Sequence, residues 1–153
     1  MMMLHTEYAF TARVELGPTI VIGHGPEGLR RYVPILGGTV EGPLLRGSVL
    51  AAGGDSQVVR IDGVLSVEAR YVIRTSDGVN VSVVNRGIRR GPPEVMARLA
   101  AGSPVGPEEY YFRTAAQFEA PLGTGAEWLN SSIFVCSAGR EPDAAIVHFF
   151  QFL

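Results

Sequence analysis

The chain contains no lysine; all thirteen of its basic residues are arginine. Schiff-base chemistry and a lysine general base are therefore excluded. A guanidinium stays protonated near neutral pH and serves to position a ligand or neutralise its charge. Cysteine is almost as scarce, and the lone Cys136 excludes an internal disulfide framework. That favours a reducing compartment and a cytoplasmic protein, an expectation supported by Met1–Glu7, which lacks the basic start and apolar middle of a signal peptide. His5, His24 and His148 lie in unrelated segments without ligand spacing, so no metal is expected. No apolar run approaches the roughly 18 residues of a membrane span. A net charge of −2 without any basic run gives no reason to expect nucleic acid or a membrane surface.

Two familiar signatures are missing or incomplete. There is no Gly-x-Ser-x-Gly nucleophile elbow. Gly23-His24-Gly25-Pro26-Glu27-Gly28 fits the dinucleotide string, yet Pro26 removes an amide donor and Arg31–Ile35 reads as strand where a helix is needed. No cofactor is expected.

What is present describes one domain spanning 1–153. Hydrophobic residues make up 46% and charged residues 18%, enough for a single buried core. Tyr8–Leu16 alternates from Phe10 onward, and Gly17-Pro18 turns the chain. Further strand-like pieces are Thr19–Ile22, Arg31–Leu36, Val58–Ile61, Leu65–Thr75, Val79–Arg86, Tyr110–Thr114, Ser132–Val135 and Ala145–Phe152. Asp62-Gly63 and Asp77-Gly78 supply turns, the second a hairpin signal. Only Gly91–Gly102, opening on prolines and stopping on glycine, predicts a helix, near 93–101. The stretch Gly37–Asp55 places Gly37-Gly38, Gly42, Gly47 and Gly53-Gly54 at nearly strand-length spacing, as sharply curved sheets require. The reading is all-β: an antiparallel barrel of about nine or ten strands with one short helix.

Three segments mix polar and aromatic groups in a way that cores avoid. Asp55-Ser56-Gln57 follows Gly53-Gly54 directly. In Glu68–Arg74, Arg70 and Arg74 share one strand face while Tyr71 points to the other. In Tyr110–Glu119, the residues Tyr111, Arg113, Ala115, Gln117 and Glu119 line one face, and Trp128-Leu129-Asn130 follows. A solvated face with surface ion pairs stays open for Arg70, Arg74 and Glu119.

Five runs in order, "RRYVPILGGTVEGPLLRGSVL", "ARYVIRTSDG", "VNRGIRRGPPEVMARLAAG", "EEYYFRTAAQFE" and "EWLNSSIFV", resemble domain-of-unknown-function family 3237, also catalogued as uncharacterised protein family 0311. The resemblance runs from about Phe10 to Phe152 and implies a lipocalin-like barrel with a cavity at one end. It further implies, from relatives in natural-product pathways, a cofactor-independent addition of a phenol oxygen across an alkene. The chain departs from the family at Ser56, where a tryptophan is usual in Ala52-Gly53-Gly54-Asp55-Ser56-Gln57.

The expected ligand is thus a small aromatic or polycyclic molecule in the barrel mouth. Asp55 would give or take a proton, with Tyr71 a second relay. Arg113 would hold a phenolate or carboxylate. Tyr111 and Trp128 would grip the ring, while Gln57, Asn130 and Glu119 would complete the ligand-binding set. The resulting expectation is an enzyme of the cyclase, lyase or isomerase type; the alternative is a non-catalytic carrier using the same cavity. A homodimer is compatible with either.

Overall fold

The structure is a computed structural model and describes residues Met1–Leu153. Ten strands form one sheet: β1 (Thr6–Leu16), β2 (Ile20–Gly25), β3 (Gly28–Glu41), β4 (Gly47–Val49), β5 (Gly54–Val59), β6 (Leu65–Thr75), β7 (Asn80–Arg90), β8 (Tyr111–Glu119), β9 (Phe134–Arg140) and β10 (Ala144–Phe152). A single α-helix, α1 (Pro93–Ala100), interrupts the link between β7 and β8. No helix is long and apolar enough to cross a membrane.

Every pairing is antiparallel, and the β1–β3 ladder closes the sheet on itself. The ten strands supply eight staves because two pairs share a position. β4 and β5 both lie between β3 and β6, and β2 continues along β3 where β1 leaves it. The lipocalin-like barrel expected from the sequence is the fold, and the predicted helix at 93–101 is α1.

Glycine makes the closure possible at two places. Gly38 has φ +148°, and a Cβ there would stand 1.9 Å from the Arg13 carbonyl oxygen, so β1 and β3 pack too closely for any side chain. Gly53 has φ +85°, and its Cβ would stand 2.1 Å from the Arg70 carbonyl oxygen. That bend starts β5 against β6 and fixes which way Asp55 points.

Inward faces follow the period of two. Phe10, Ala12 and Val14 of β1, Val81 and Val83 of β7, and Phe134, Cys136 and Ala138 of β9 are buried. One end of the barrel is stoppered by aromatic rings. Phe10 stacks on Phe149 at 4.4 Å, and Phe118 meets Phe134 edge-on at 4.9 Å and Phe10 at 6.0 Å. The other end, below α1, has no such stopper. The inward positions there include Arg31, Gln57, Arg89 and Arg140 beside Leu65 and Phe112, and a cavity opens against α1.

Candidate functional site at the open end of the barrel

Four strands, β3, β5, β7 and β9, deliver polar side chains to this end by continuing their inward rows. On β3 the row Ile35, Val33, Arg31 runs toward the opening; on β7 it is Val81, Val83, Asn85, Gly87, Arg89. β5 adds Gln57 opposite Arg31 and, deeper, Asp55 opposite Val33. Arg140 closes β9. Of these, Arg31, Val33, Gln57, Arg89 and Arg140 join Thr19, Val21, the last turn of α1 and Glu141-Pro142 around a cavity of about 350 Å³.

Hydrogen bonds tie the mouth to the acid beneath it. Arg31 donates through Nε (3.1 Å) and Nη2 (2.6 Å) to Gln57 Oε1, and Gln57 Nε2 donates to Asp55 Oδ2 at 2.8 Å. Gln57 therefore has one orientation: its oxygen is held by a cation and its amide by a carboxylate. Asp55 sits behind it and reaches the cavity only past that amide.

Below Gln57 lies a second group of inward polar residues. Asp55 Oδ1, Tyr71 OH, Asn85 Oδ1 and Thr114 Oγ1 are all withdrawn from solvent and have no hydrogen-bond partner, as is Arg89 Nε above them. Asn85 Nδ2 lies 3.9 Å from Cys136 Sγ. Buried polar atoms are ordinarily satisfied, and each unsatisfied one costs about 1–3 kcal/mol. Five in one half of one barrel form a polar layer, the chamber below the mouth cavity, whose hydrogen-bonding capacity the protein does not itself use; Asp55, Tyr71, Asn85 and Thr114 do not line the mouth cavity.

Burial sets the protonation of this chamber. Desolvation lifts the Asp55 carboxyl above the usual aspartate range, and the Gln57 hydrogen bond and the charges of Arg89 and Arg31 oppose it without cancelling it. Desolvation, with the nearby Cys136 and Asp55, likewise pushes the Tyr71 phenol far above its ordinary value. Burial drives the Cys136 thiol up to about 12, so it is a thiol and not a nucleophilic thiolate. Because the Tyr71 hydroxyl makes no bond in the folded protein, Tyr71→Phe should leave stability unchanged or raise it by up to about 1 kcal/mol in a denaturant titration. Ligand affinity should fall in the same variant.

Of the residues expected from the sequence, the structure brings Asp55, Gln57 and Tyr71 together and leaves the other five elsewhere. The two faces of β8 divide as the alternation predicts, but the inward face is Tyr110, Phe112, Thr114, Ala116 and Phe118. Tyr111, Arg113 and Glu119 are exposed on the outer wall. Arg113 and Arg90 stack over the Tyr111 ring at 5.4 and 4.4 Å, and Arg113 Nη1 donates to the Phe112 carbonyl. Trp128 and Asn130 lie in the link between β8 and β9, at the stoppered end. Trp128 packs on Phe134 at 5.9 Å and borders a shallow depression with the β3–β4 link and the β6–β7 turn. Asn130 clamps the chain, accepting from the Ala120 amide at 2.7 Å and donating to the Ala120 carbonyl at 2.9 Å. Asn130→Ala should therefore lower stability by about 1–2 kcal/mol, read by denaturant melting, while ligand affinity is unchanged. Arg70 and Arg74 belong to the solvated face: Arg70 pairs with Glu68, and Arg74 donates to Asn80.

The residues missed from the sequence are Arg31, Arg89, Arg140, Asn85 and Thr114. Their signal was positional, since each occupies the inward parity of a strand whose other inward residues are apolar.

A closed antiparallel barrel with a cavity at its mouth and buried polar groups below it is the architecture of a small-molecule binding barrel. The chain belongs to the family described as Protein of unknown function (DUF3237), whose profile matches residues 4–152. A UPF0311 protein of Rhodopseudomonas palustris (strain TIE-1) is 40% identical over 153 residues, covering 98% of this chain and 97% of that one. The crystal structure of the conserved protein of unknown function RPA1785 from Rhodopseudomonas palustris superposes with a TM-score of 0.93 at 39% identity, covering 100% of this chain and 99% of that one. A beta-barrel like protein from Acinetobacter baumannii AYE superposes at 0.85 with 34% identity, over 98% and 96% of the two chains. The hydroalkoxylation enzyme phnH of Penicillium herquei is 32% identical over 78 residues, half of each chain (50% and 51%).

Proposed function

We propose that the barrel is a cofactor-independent acid–base enzyme acting on a small phenolic or aromatic molecule, with Asp55 as its proton carrier. The observation that carries this reading is the Asp55 Oδ1 without a hydrogen-bond partner, buried near the equally unpartnered Tyr71 hydroxyl and behind the Gln57 that lines the mouth cavity. A carboxyl lifted by burial can still hold a proton at a pH where an exposed aspartate has lost it, which suits a general acid. The partial likeness to a hydroalkoxylation enzyme supports the reaction class.

In such an addition Asp55 gives its proton to one alkene carbon while the phenol oxygen bonds to the other. The phenolic proton then returns to the carboxylate. One C–O and one C–H bond form, the alkene π bond and the O–H bond break, and no oxidant is consumed. Tyr71 is placed to donate a hydrogen bond in the same chamber. Arg31 and Arg89 favour the negative charge that develops on Asp55 as its proton leaves.

One feature of the structure favours a carrier instead: Gln57 and Arg31 stand between the mouth and Asp55, which does not border the cavity itself. Incubation with a panel of ortho-alkenyl phenols separates the two readings. The enzyme reading expects a ring-closed isomer of unchanged mass by chromatography and mass spectrometry. Saturable binding with no isomer across the panel would establish the carrier.

A further inference from the structure

We infer that Arg31, Arg89 and Arg140 form an oxyanion site at the mouth, and that the molecule held by the barrel carries a carboxylate or phosphate group docked there. This names the ligand class for the site described above and rests on that reading in placing the remainder of the molecule in the chamber.

Six of the thirteen arginines have a carboxylate within 4.0 Å: Arg13, Arg30, Arg60, Arg70, Arg86 and Arg98, all with substantially exposed side chains. The three at the mouth have none, although Arg89 is buried and Arg31 and Arg140 are partly buried. Arg89 is only 8% exposed; its Nε has no hydrogen-bond partner, and its guanidinium lies 5.6 Å from the centroid of the Phe112 ring. Arg31 bonds to the neutral amide of Gln57. Arg140 Nη1 bonds to the backbone carbonyls of Glu141 and Ala144. Glu141 borders the cavity, but its carboxylate is engaged outside by Arg13. Two carboxyls remain near the guanidiniums: Asp143, which acts on Arg140 from outside and also pairs with Arg13 at 3.6 Å, and Asp55 inside, where burial favours the neutral form.

The cluster is therefore short of negative charge. Burial pulls all three below the ordinary arginine range, Arg89 to about 10, and the charges of Arg31 and Arg140 add to the effect on Arg89. Buried cations are tolerated when they are paired, and a guanidinium presents a planar fork of donors that matches a carboxylate or phosphate. A bound oxyanion would give Arg89 the anionic partner it lacks and offset the repulsion among the three. The cavity of about 350 Å³ admits a one- or two-ring acid.

Calorimetric titration with 2-naphthoate, 2-naphthyl phosphate and neutral 2-naphthamide tests this, in the native chain and in Arg140→Gln and Arg31→Gln variants whose melting confirms folding. At least one of the two anions should bind roughly ten-fold or more tightly than the amide. The preference should shrink in each variant and weaken as salt rises. Equal affinity for amide and anions, or a preference untouched in both variants, overturns the inference. If none of the three compounds binds, the aromatic-ligand reading fails, and inorganic phosphate alone then decides the oxyanion site. A rise in melting temperature with phosphate that both variants lose supports the site, and no rise overturns it.

Discussion

Asp55→Asn should reduce turnover of a phenolic alkene by about 10²- to 10⁴-fold while ligand affinity changes little, the range associated with losing a positioned acid–base group. The amide keeps the volume and one carbonyl oxygen able to accept from Gln57 Nε2, as Asp55 Oδ2 does at 2.8 Å, so the Arg31–Gln57 arrangement survives. What disappears is the proton. The same variant should also be more stable than the native chain at neutral pH. Asp55 has its folded-state pKa raised above the unfolded value, so the folded protein binds that proton more tightly than the unfolded chain does. Stability then falls as pH rises from the unfolded aspartate value, near about 4, through the higher folded value. Melting temperatures of the two proteins should converge near pH 4 and separate above it, with Asp55→Asn the higher. Turnover equal to the native chain's would remove Asp55 from the chemistry. A variant that melts lower at pH 7 would show that the ionised carboxylate is stabilising where it stands.

Phe149→Ala is expected to destabilise the fold by about 3–5 kcal/mol, the largest stability effect of any single truncation considered. Phe149 is 0% exposed, stacks on Phe10 and lies 5.7 Å from Phe118, so its removal leaves a void at the centre of the stopper with rigid ring neighbours that cannot collapse into it. Chemical denaturation should show the loss as a lower midpoint. A cost under about 1 kcal/mol would mean that the stopper repacks and that the closed end is not a fixed floor for the chamber.

The fold could be read from the sequence because its signals are local. Alternation from Phe10 to Leu16 marks β1, Asp77-Gly78 marks the β6–β7 turn where Gly78 has φ +88°, and the Pro92-Pro93 start and Gly102 stop bracket α1. The glycine pairs between Gly37 and Gly54 were legible as bends for the same reason. The site was legible only in part, since choosing the inward face of a strand needs the partner strands. On β8 both faces carry aromatics, and Tyr111 with Arg113 looked more like a ligand grip than Phe112 with Thr114. Only the ladders to β7 and β9 show that Thr114 faces in. Arg31 and Arg89 draw no site assignment, because burying a guanidinium is costly and therefore rare. Their inward parity says otherwise, but only once the barrel is closed. Trp128 and Asn130 are placed by chain direction, since the β8–β9 link returns at the stoppered end.

Two halves of this molecule therefore differ in kind. The stoppered half is sealed by phenylalanines and by the Asn130 clamp, and it accounts for folding. The open half leaves hydrogen-bond donors, acceptors and positive charge unused, which a fold selected for stability alone would not retain. Ser56, where the resemblance leads one to expect tryptophan, belongs to the outward face of β5, and its hydroxyl accepts from Arg30 Nη1 at 3.3 Å. The exchange therefore changes the outer wall and not the chamber.

A crystal structure of the chain soaked with a phenolic carboxylic acid tests the central claim most directly. The account predicts ligand density between α1 and the Phe118–Phe134 stopper, with its acid group on Arg31, Arg89 or Arg140 and its ring side within hydrogen-bond reach of Asp55 Oδ1 or the Tyr71 hydroxyl. Density confined to the outer wall around Tyr111 and Arg113, with the chamber filled by repositioned side chains, would contradict it.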